Sequence, residues 1–144
     1  MIYLDSSLMV SLYCPDANSA AAVAALRTAK APLIVSALCE LETMNAFALR
    51  VFRKELTNAQ ADSARQNLEK DLRDGAFLTR ELPEAACARA HKLSKLLTAT
   101  LGTRTADLLH VAAAVESGAT GFFSFDLQQR KMAQAAGLKL NRWP

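Results

Sequence analysis

Four of the 14 acidic residues stand where solvated surface charge does not account for them. Asp5 directly follows the apolar stretch "IYL", and Asp126 follows "GFFSF". Glu42 and Asp107 fall in the early turns of the two most apolar helical segments, "ALCELETMNAFALRVFRKE" and "TRTADLLHVAAAVESG". A buried carboxylate is costly unless it is paired or coordinated. Several carboxylates converging on one place cannot all stay ionised without a cation. Carboxylate oxygens with water suit Mg²⁺ or Mn²⁺, and an ion so held activates water and polarises a phosphoryl oxygen.

Each acid also has a plainer role. Asp5 and Asp126 can cap the helices that follow them, and Asp107 can complement a helix dipole. Glu42 can pair with Arg50 or Lys54 on its own helix. Glu40 competes with Glu42 for the site, but two residues on a helix are about 200° apart, so only one faces a given cleft. Histidine contributes little to a metal reading: the chain has only His91 and His110, and neither is spaced with cysteine as a zinc ligand. His110, one turn beyond Asp107, reads as a satisfied core or rim histidine beside the site. Cys14, Cys39 and Cys87 are scattered and odd in number, which suggests neither disulfides nor a zinc knuckle.

The elements that must carry these acids alternate. Strands are expected at "MIYLD", "PLIVS", "AFLTREL", "GFFSFD" and "LKLN". Between them lie a helix from Ser6 or Ser7 as N-cap, an alanine-rich helix over 18–29 and a helix over 37–54. The helix over 37–54 should bury Leu38, Leu41, Met44, Ala48 and Phe52. Thr57 caps a largely polar helix that ends at Gly75, and Pro83 opens the next. The most apolar helix is capped by Thr103 or Thr105 and ends at Gly118; a last helix closes at Gly137. This order predicts a three-layer α/β/α sandwich, a parallel sheet of four to five strands with helices on both faces. The carboxyl ends of such strands form the binding crevice. Asp5 and Asp126 belong there, and so do acids in the first turns of helices that follow strands.

Length and composition fit one domain over 1–144, 51% hydrophobic and 22% charged, with no repeat or linker. No apolar run approaches the roughly 20 residues of a membrane helix, and the N-terminus does not read as a signal peptide. A cytoplasmic protein is expected. The net charge of +3 permits a nucleic-acid partner without requiring one.

Order, spacing and apolar context together resemble a known family. "MIYLDSS", "VSALCELETMNAFALRVFR", "GTRTADLLHVAAAVESGATGFFSFD" and "QRKMAQAAGLKL" are similar to the PIN domain, in particular the VapC-type toxin ribonucleases of bacterial toxin–antitoxin pairs. The resemblance implies a sheet order of 3-2-1-4-5 and carries the family's catalytic acids onto Asp5, Glu42, Asp107 and Asp126. Mg²⁺ or Mn²⁺ is then expected on Asp5, Asp107 and Asp126, with Glu42 as a further ligand or a proton acceptor through water. Ser6 and Ser124 match small hydroxyl positions, and Asn45 lies one turn from Glu42. Gln128 and Gln129 stand where some relatives carry an extra acid, which weakens the case for a second metal. Arg104, Arg50, Arg53 and Lys54 are candidate contacts to RNA phosphates. The implied activity is metal-dependent endoribonucleolytic cleavage leaving a 5′-phosphate and a 3′-hydroxyl. The implied partners are a homodimer mate and a small antitoxin. Two other classes compete: a non-catalytic RNA-binding or protein-interaction module, and an aspartyl phosphatase or receiver-like protein. The second needs a late lysine that "FSFD" does not offer.

Overall fold

Ile2, Tyr3 and Leu4 alternate between two apolar cores, and this sets the architecture. Tyr3, Ile34 and Phe122 point to one face of a sheet, while Leu4, Val35 and Phe123 point to the other. The computed structural model describes residues 1–143. Its elements are β1 (Ile2–Leu4), α1 (Ser6–Tyr13), α2 (Ser19–Thr28), β2 (Leu33–Ser36), α3 (Ala37–Phe52), α4 (Asn58–Arg73) and β3 (Leu78–Arg80). The second half holds α5 (Ala86–Leu93), a π-helical turn (Ser94–Thr98), α6 (Ala99–Leu101), α7 (Thr105–Glu116), β4 (Gly121–Phe123), α8 (Leu127–Ala135) and β5 (Lys139–Leu140).

The five strands are parallel in the order β3-β2-β1-β4-β5, the order the family resemblance implied. Ile2 pairs with Leu33 on one side and Gly121 on the other. Helices α1 to α4 cover one face, where Leu8, Ala22, Phe47 and Leu68 close the core. Helices α5, α7 and α8 cover the other with Ala90, Val111, Ala113 and Met132. Deleting the fully buried Phe47 ring is expected to cost about 3–5 kcal/mol. The strand order reverses between β1 and β4, so the crevice opens beyond their carboxyl ends.

Several local expectations need correction. The N-cap of α1 is Asp5, not Ser6 or Ser7: its carboxylate accepts from the Ser7 N–H. Helix α7 has Arg104 at its N-cap, not a threonine. Thr103 is instead buried and bonded to Thr98 at 2.7 Å. Pro83 precedes a turn, and α5 starts only at Ala86. Strand β4 ends at Phe123, because Ser124 to Asp126 leave the ladder to start α8, with Asp126 as N-cap. The edge strands are shorter than their apolar patterns, since β3 pairs only with β2 and β5 only with β4. Helix α3 stops at Phe52, and Lys54 turns the chain in the left-handed region at φ 61°.

The buried face of α3 also differs from the expected stripe. Cys39, Thr43 and Phe47 face the core, whereas Leu41 is 67% and Phe52 83% exposed. A helix with apolar residues on several sides offers more than one plausible stripe, and only packing selects among them.

Candidate active site

The expected acids reach the same sheet edge, but in two differently built groups. The first lies around Asp5 and Glu42. Asp5 is fully buried at the end of β1. Its Oδ2 accepts from the Ser7 backbone N–H (3.2 Å), the Ser7 hydroxyl and the Ser124 hydroxyl (2.7 Å). Its Oδ1 accepts from Ser6 Oγ at 3.3 Å. The same two turns are stitched again where the Phe125 N–H donates to Ser7 Oγ and the Asp126 N–H to Ser124 Oγ, both at 2.9 Å.

Glu42, early in α3, accepts from Ser6 Oγ at 2.8 Å and from His110 Nε2 at 2.7 Å. Both donors bind the same oxygen, Oε2. The hydrogen bond from His110, with help from Ser6 and Arg104, holds the Glu42 carboxyl below the ordinary glutamate range despite partial burial. His110 itself is fully buried. Its Nδ1 meets the Tyr3 hydroxyl at 3.0 Å, and Tyr3 meets Ser36 Oγ at 2.5 Å. Burial raises the Tyr3 phenol well above its usual range, so it stays protonated.

The second group is Asp107 and Asp126 under Arg104. Asp107, buried in the first turn of α7, accepts Arg104 Nε on Oδ2 (3.0 Å) and Arg104 Nη2 on Oδ1 (3.2 Å). The Arg104 backbone N–H and Gln129 Nε2 complete its shell, each at 3.2 Å. Asp126 spends Oδ1 on the Gln128 and Gln129 N–H groups and turns Oδ2 toward Arg104 Nη2 at 3.7 Å. The Arg104 side chain is 76% exposed, so the cation lies over the acids from the solvent side. Gly102, left-handed at φ 64°, ends α6 two residues earlier.

Both groups border a cavity of about 630 Å³. Glu42, Asp107, Asp126, Arg104 and Gln129 line it, as do Ser6 and Asn45. Asp5 does not; it lies beneath Ser6 and Ser7. Along α3 the lining continues from Glu42 through Asn45 and Leu49 to Arg53 at the helix C-cap, about 16 Å. Glu40 faces elsewhere, toward Glu69 and Arg73.

The metal set expected from sequence is not what the geometry groups. Among the described residues, Asp5, Glu42 and His110 offer ligand atoms all within 4.8 Å of one another; Asp107 and Asp126 lie outside that trio. The arginines also divide. Arg50 and Arg53 both line the cavity, but Arg50 is tied to Asp16 at 3.2 Å and lies 3.8 Å from Glu55. Lys54 is not among the lining residues. Serine hydroxyls and His110 offset the charge of Asp5 and Glu42, and the Arg104 cation that of Asp107 and Asp126. Two participants carried little or no signal. Ser7 was visible only as one of a serine pair. His110 was read as a core histidine; it is one, and it also holds Glu42.

A cation still fits this cavity. Among the described residues Glu42 Oε1 has no hydrogen-bond partner while Oε2 has two. Gln129 Oε1, buried beside Asp107, likewise has none among them. Arg104 already places positive charge on Asp107 and Asp126. Hard oxygen donors with spare lone pairs match Mg²⁺ or Mn²⁺. An aspartyl-phosphate role fits poorly, because the Asp5 oxygens are buried under hydroxyl donors.

A five-stranded parallel sheet in this order, with acids at the reversal point, defines a class of α/β domains. The chain belongs to the PIN domain family, whose model matches residues 2–135. Sequence comparison with curated proteins finds no match. Among solved structures the chain is similar to Mycobacterium tuberculosis VapC20, described as a sarcin-ricin loop cleaving toxin, with a TM-score of 0.67 and 16% identity over 100% of both chains. It is similar to FitAcB from Neisseria gonorrhoeae, with a TM-score of 0.66 and 20% identity over 99% of this chain and 97% of that one. It is also similar to VapBC2 from Rickettsia felis bound to a DNA fragment from their promoter, with a TM-score of 0.66 and 16% identity over 100% of both chains. At these identities the likeness is one of fold. Among the described residues no helix is long and apolar enough to cross a membrane.

Proposed function

We propose that the protein is a divalent-metal-dependent endoribonuclease of the VapC toxin type, acting at the cavity bounded by Glu42, Asp107 and Asp126. The observation that carries this reading is the shared cavity itself. Four carboxylates line it, with Asp16 at the far end; a cation already sits on Asp107 and Asp126, and one face of α3 leads from Glu42 toward Arg53 just past its end. Oxygen atoms of Glu42, Asp107 and Asp126, with Gln129 Oε1, would hold Mg²⁺ or Mn²⁺, and Asp5 would support the set from below. An ion there would acidify a water molecule and neutralise charge on the scissile phosphate.

The chain's own groups have separate tasks. Glu42 stays ionised and turns Oε1 to the cavity, where it can take a proton from water. Arg104, exposed over the acids, could exchange Asp107 and Asp126 for a phosphate. Arg53 offers charge farther along the RNA backbone. Arg50, neutralised by Asp16, is a weaker candidate than its sequence position implied. Ser6 and Ser124 set Glu42 and Asp5 in place.

The VapBC2 relative and the basic side chain over the acids both support an antitoxin partner that reaches the same cavity. Exposed Leu41 and Phe52 on α3 offer apolar surface for a homodimer, and sedimentation at micromolar concentration tests that assembly. The decisive experiment incubates purified protein with structured RNA in Mg²⁺, Mn²⁺ or EDTA and maps the cut ends. Metal-dependent cuts with 5′-phosphates, lost in Glu42→Gln, are expected. Binding without cleavage under every metal would instead place the chain among non-catalytic PIN modules.

A further inference from the structure

Tyr3 and His110 are polar residues in an apolar place. Tyr3 belongs to a buried cluster with Ile34, Val111, Ala112 and Phe122, and the fully buried His110 meets its ring edge-on with centroids 5.9 Å apart. Phe122 stacks on the Tyr3 ring at 5.5 Å with planes 4° apart, so a phenyl ring already fits this core. Burying a hydroxyl and an imidazole there is unfavourable unless both are bonded.

They are bonded in a chain whose direction follows from counting hydrogens. Ser36 Oγ accepts the Cys39 N–H at 3.1 Å as the N-cap of α3. Its own proton then goes to Tyr3 Oη, the Tyr3 proton to His110 Nδ1, and the His110 Nε2 proton to Glu42 Oε2. In the opposite direction Tyr3 would donate to Ser36, and the Ser36 proton would have no acceptor. Ser6 supplies the second bond to the same Glu42 oxygen, so Oε1 is left for the cavity.

We infer that Tyr3 and His110 are positioning residues for Glu42: the buried chain Ser36–Tyr3–His110 fixes the imidazole with Nε2–H toward Glu42 and thereby fixes which carboxylate oxygen faces the cavity. The inference rests on the reading of Glu42 as a working acid of this site. It joins three elements, since Tyr3 lies in the middle of β1, Ser36 ends β2 and His110 lies on α7 one turn after Asp107. A strand residue thus sets a helix-borne side chain that it never touches.

The test uses Tyr3→Phe, His110→Gln and His110→Ala in the full chain. Imidazole nitrogen NMR should give the Nε2–H form for His110, with a protected downfield Nε2 proton. In Tyr3→Phe both ring tautomers should appear and that proton should broaden. Where outer partners orient a working carboxylate, loss of one lowers activity by about 10–100-fold. Cleavage by Tyr3→Phe should therefore lose about tenfold in kcat with KM for RNA within about twofold. His110→Gln, whose amide can still donate, should keep more activity than His110→Ala.

A merely structural role would lower the melting temperature of Tyr3→Phe while leaving kcat of the folded protein intact, and that result overturns the inference. So does Mn²⁺ affinity that vanishes in His110→Gln but is untouched in Tyr3→Phe, because His110 would then be a metal ligand. If wild type cleaves no RNA, the nuclease reading fails. The imidazole spectra of wild type and Tyr3→Phe still decide whether the chain fixes the ring, and an unchanged spectrum in Tyr3→Phe rejects it.

Discussion

The two halves of the acidic edge solve one problem by different means. Around Asp5 and Glu42 the negative charge is met by donors held in the fold: Ser6, Ser7, Ser124 and the buried His110. Around Asp107 and Asp126 it is met by an exposed cation, Arg104, with Gln129 beneath. Fixed hydrogen-bond donors preorganise a carboxylate. A removable arginine cancels charge until something displaces it. The first half is built to hold geometry, the second to exchange its counter-ion.

The largest effect expected from breaking this comparison is on the proposed RNA cleavage, for which each half should be indispensable. Glu42→Gln and Asp107→Asn should each reduce metal-dependent cleavage by at least about 10²-fold, measured as initial rates in Mg²⁺. Glu40→Gln, which faces away, should stay near wild type. If Glu40→Gln were the inactive variant, the role given to Glu42 would be wrong.

Stability should separate the halves next. In EDTA, Asp5→Ala should lose about 3 kcal/mol, because it removes a cap and strands buried donors on Ser7 and Ser124. Asp126→Ala, a half-exposed cap, should lose only about 1 kcal/mol. Urea denaturation of both measures the difference, and equal losses would erase the contrast between fixed and exchangeable halves.

A smaller effect tests the exchange itself. Arg104→Gln removes a cation that competes with metal for Asp107 and Asp126. Apparent Mn²⁺ affinity, followed by calorimetry, should rise a few-fold, while cleavage at saturating metal falls through the loss of a phosphate contact. Weaker Mn²⁺ binding in this variant would mean that Arg104 organises the metal site and does not compete for it.

The smallest effect lies at the far end of the cavity, where both means act on one carboxylate. Asp16 is partly desolvated, but the Asn18 N–H, the Ser11 hydroxyl and Arg50 outweigh that and lower its pKa. A lowered folded-state pKa gives stability that is present above the unfolded value, near ~4, and lost as pH falls through the folded value. Asp16→Asn should thus cost up to about 1 kcal/mol at pH 7. The cost should shrink between about pH 5 and pH 3, read from parallel denaturation curves. A cost independent of pH would place the contribution in hydrogen bonding alone.

The alternation of strands and helices, the parallel sheet and the clustering of Asp5, Glu42, Asp107 and Asp126 at one edge could be argued from the chain alone. Each rests on local signals: apolar runs, periodicity, and acids following strands or opening helices. Glu42 was separable from Glu40 because a helix turns about 100° per residue. Tertiary structure decided what is not local. Which side of α3 faces the core went to Cys39, Thr43 and Phe47 because α1 and α4 pack there. Arg104 over Asp107 is three residues distant, yet its second contact, Asp126, is 22 residues away and needed β4 beside β1. Tyr3, 107 residues before His110, and His110, 68 after Glu42, meet only in the folded chain. A buried hydrogen-bond chain leaves no periodic trace in sequence, because each member looks like an ordinary core residue until its partners arrive from other elements.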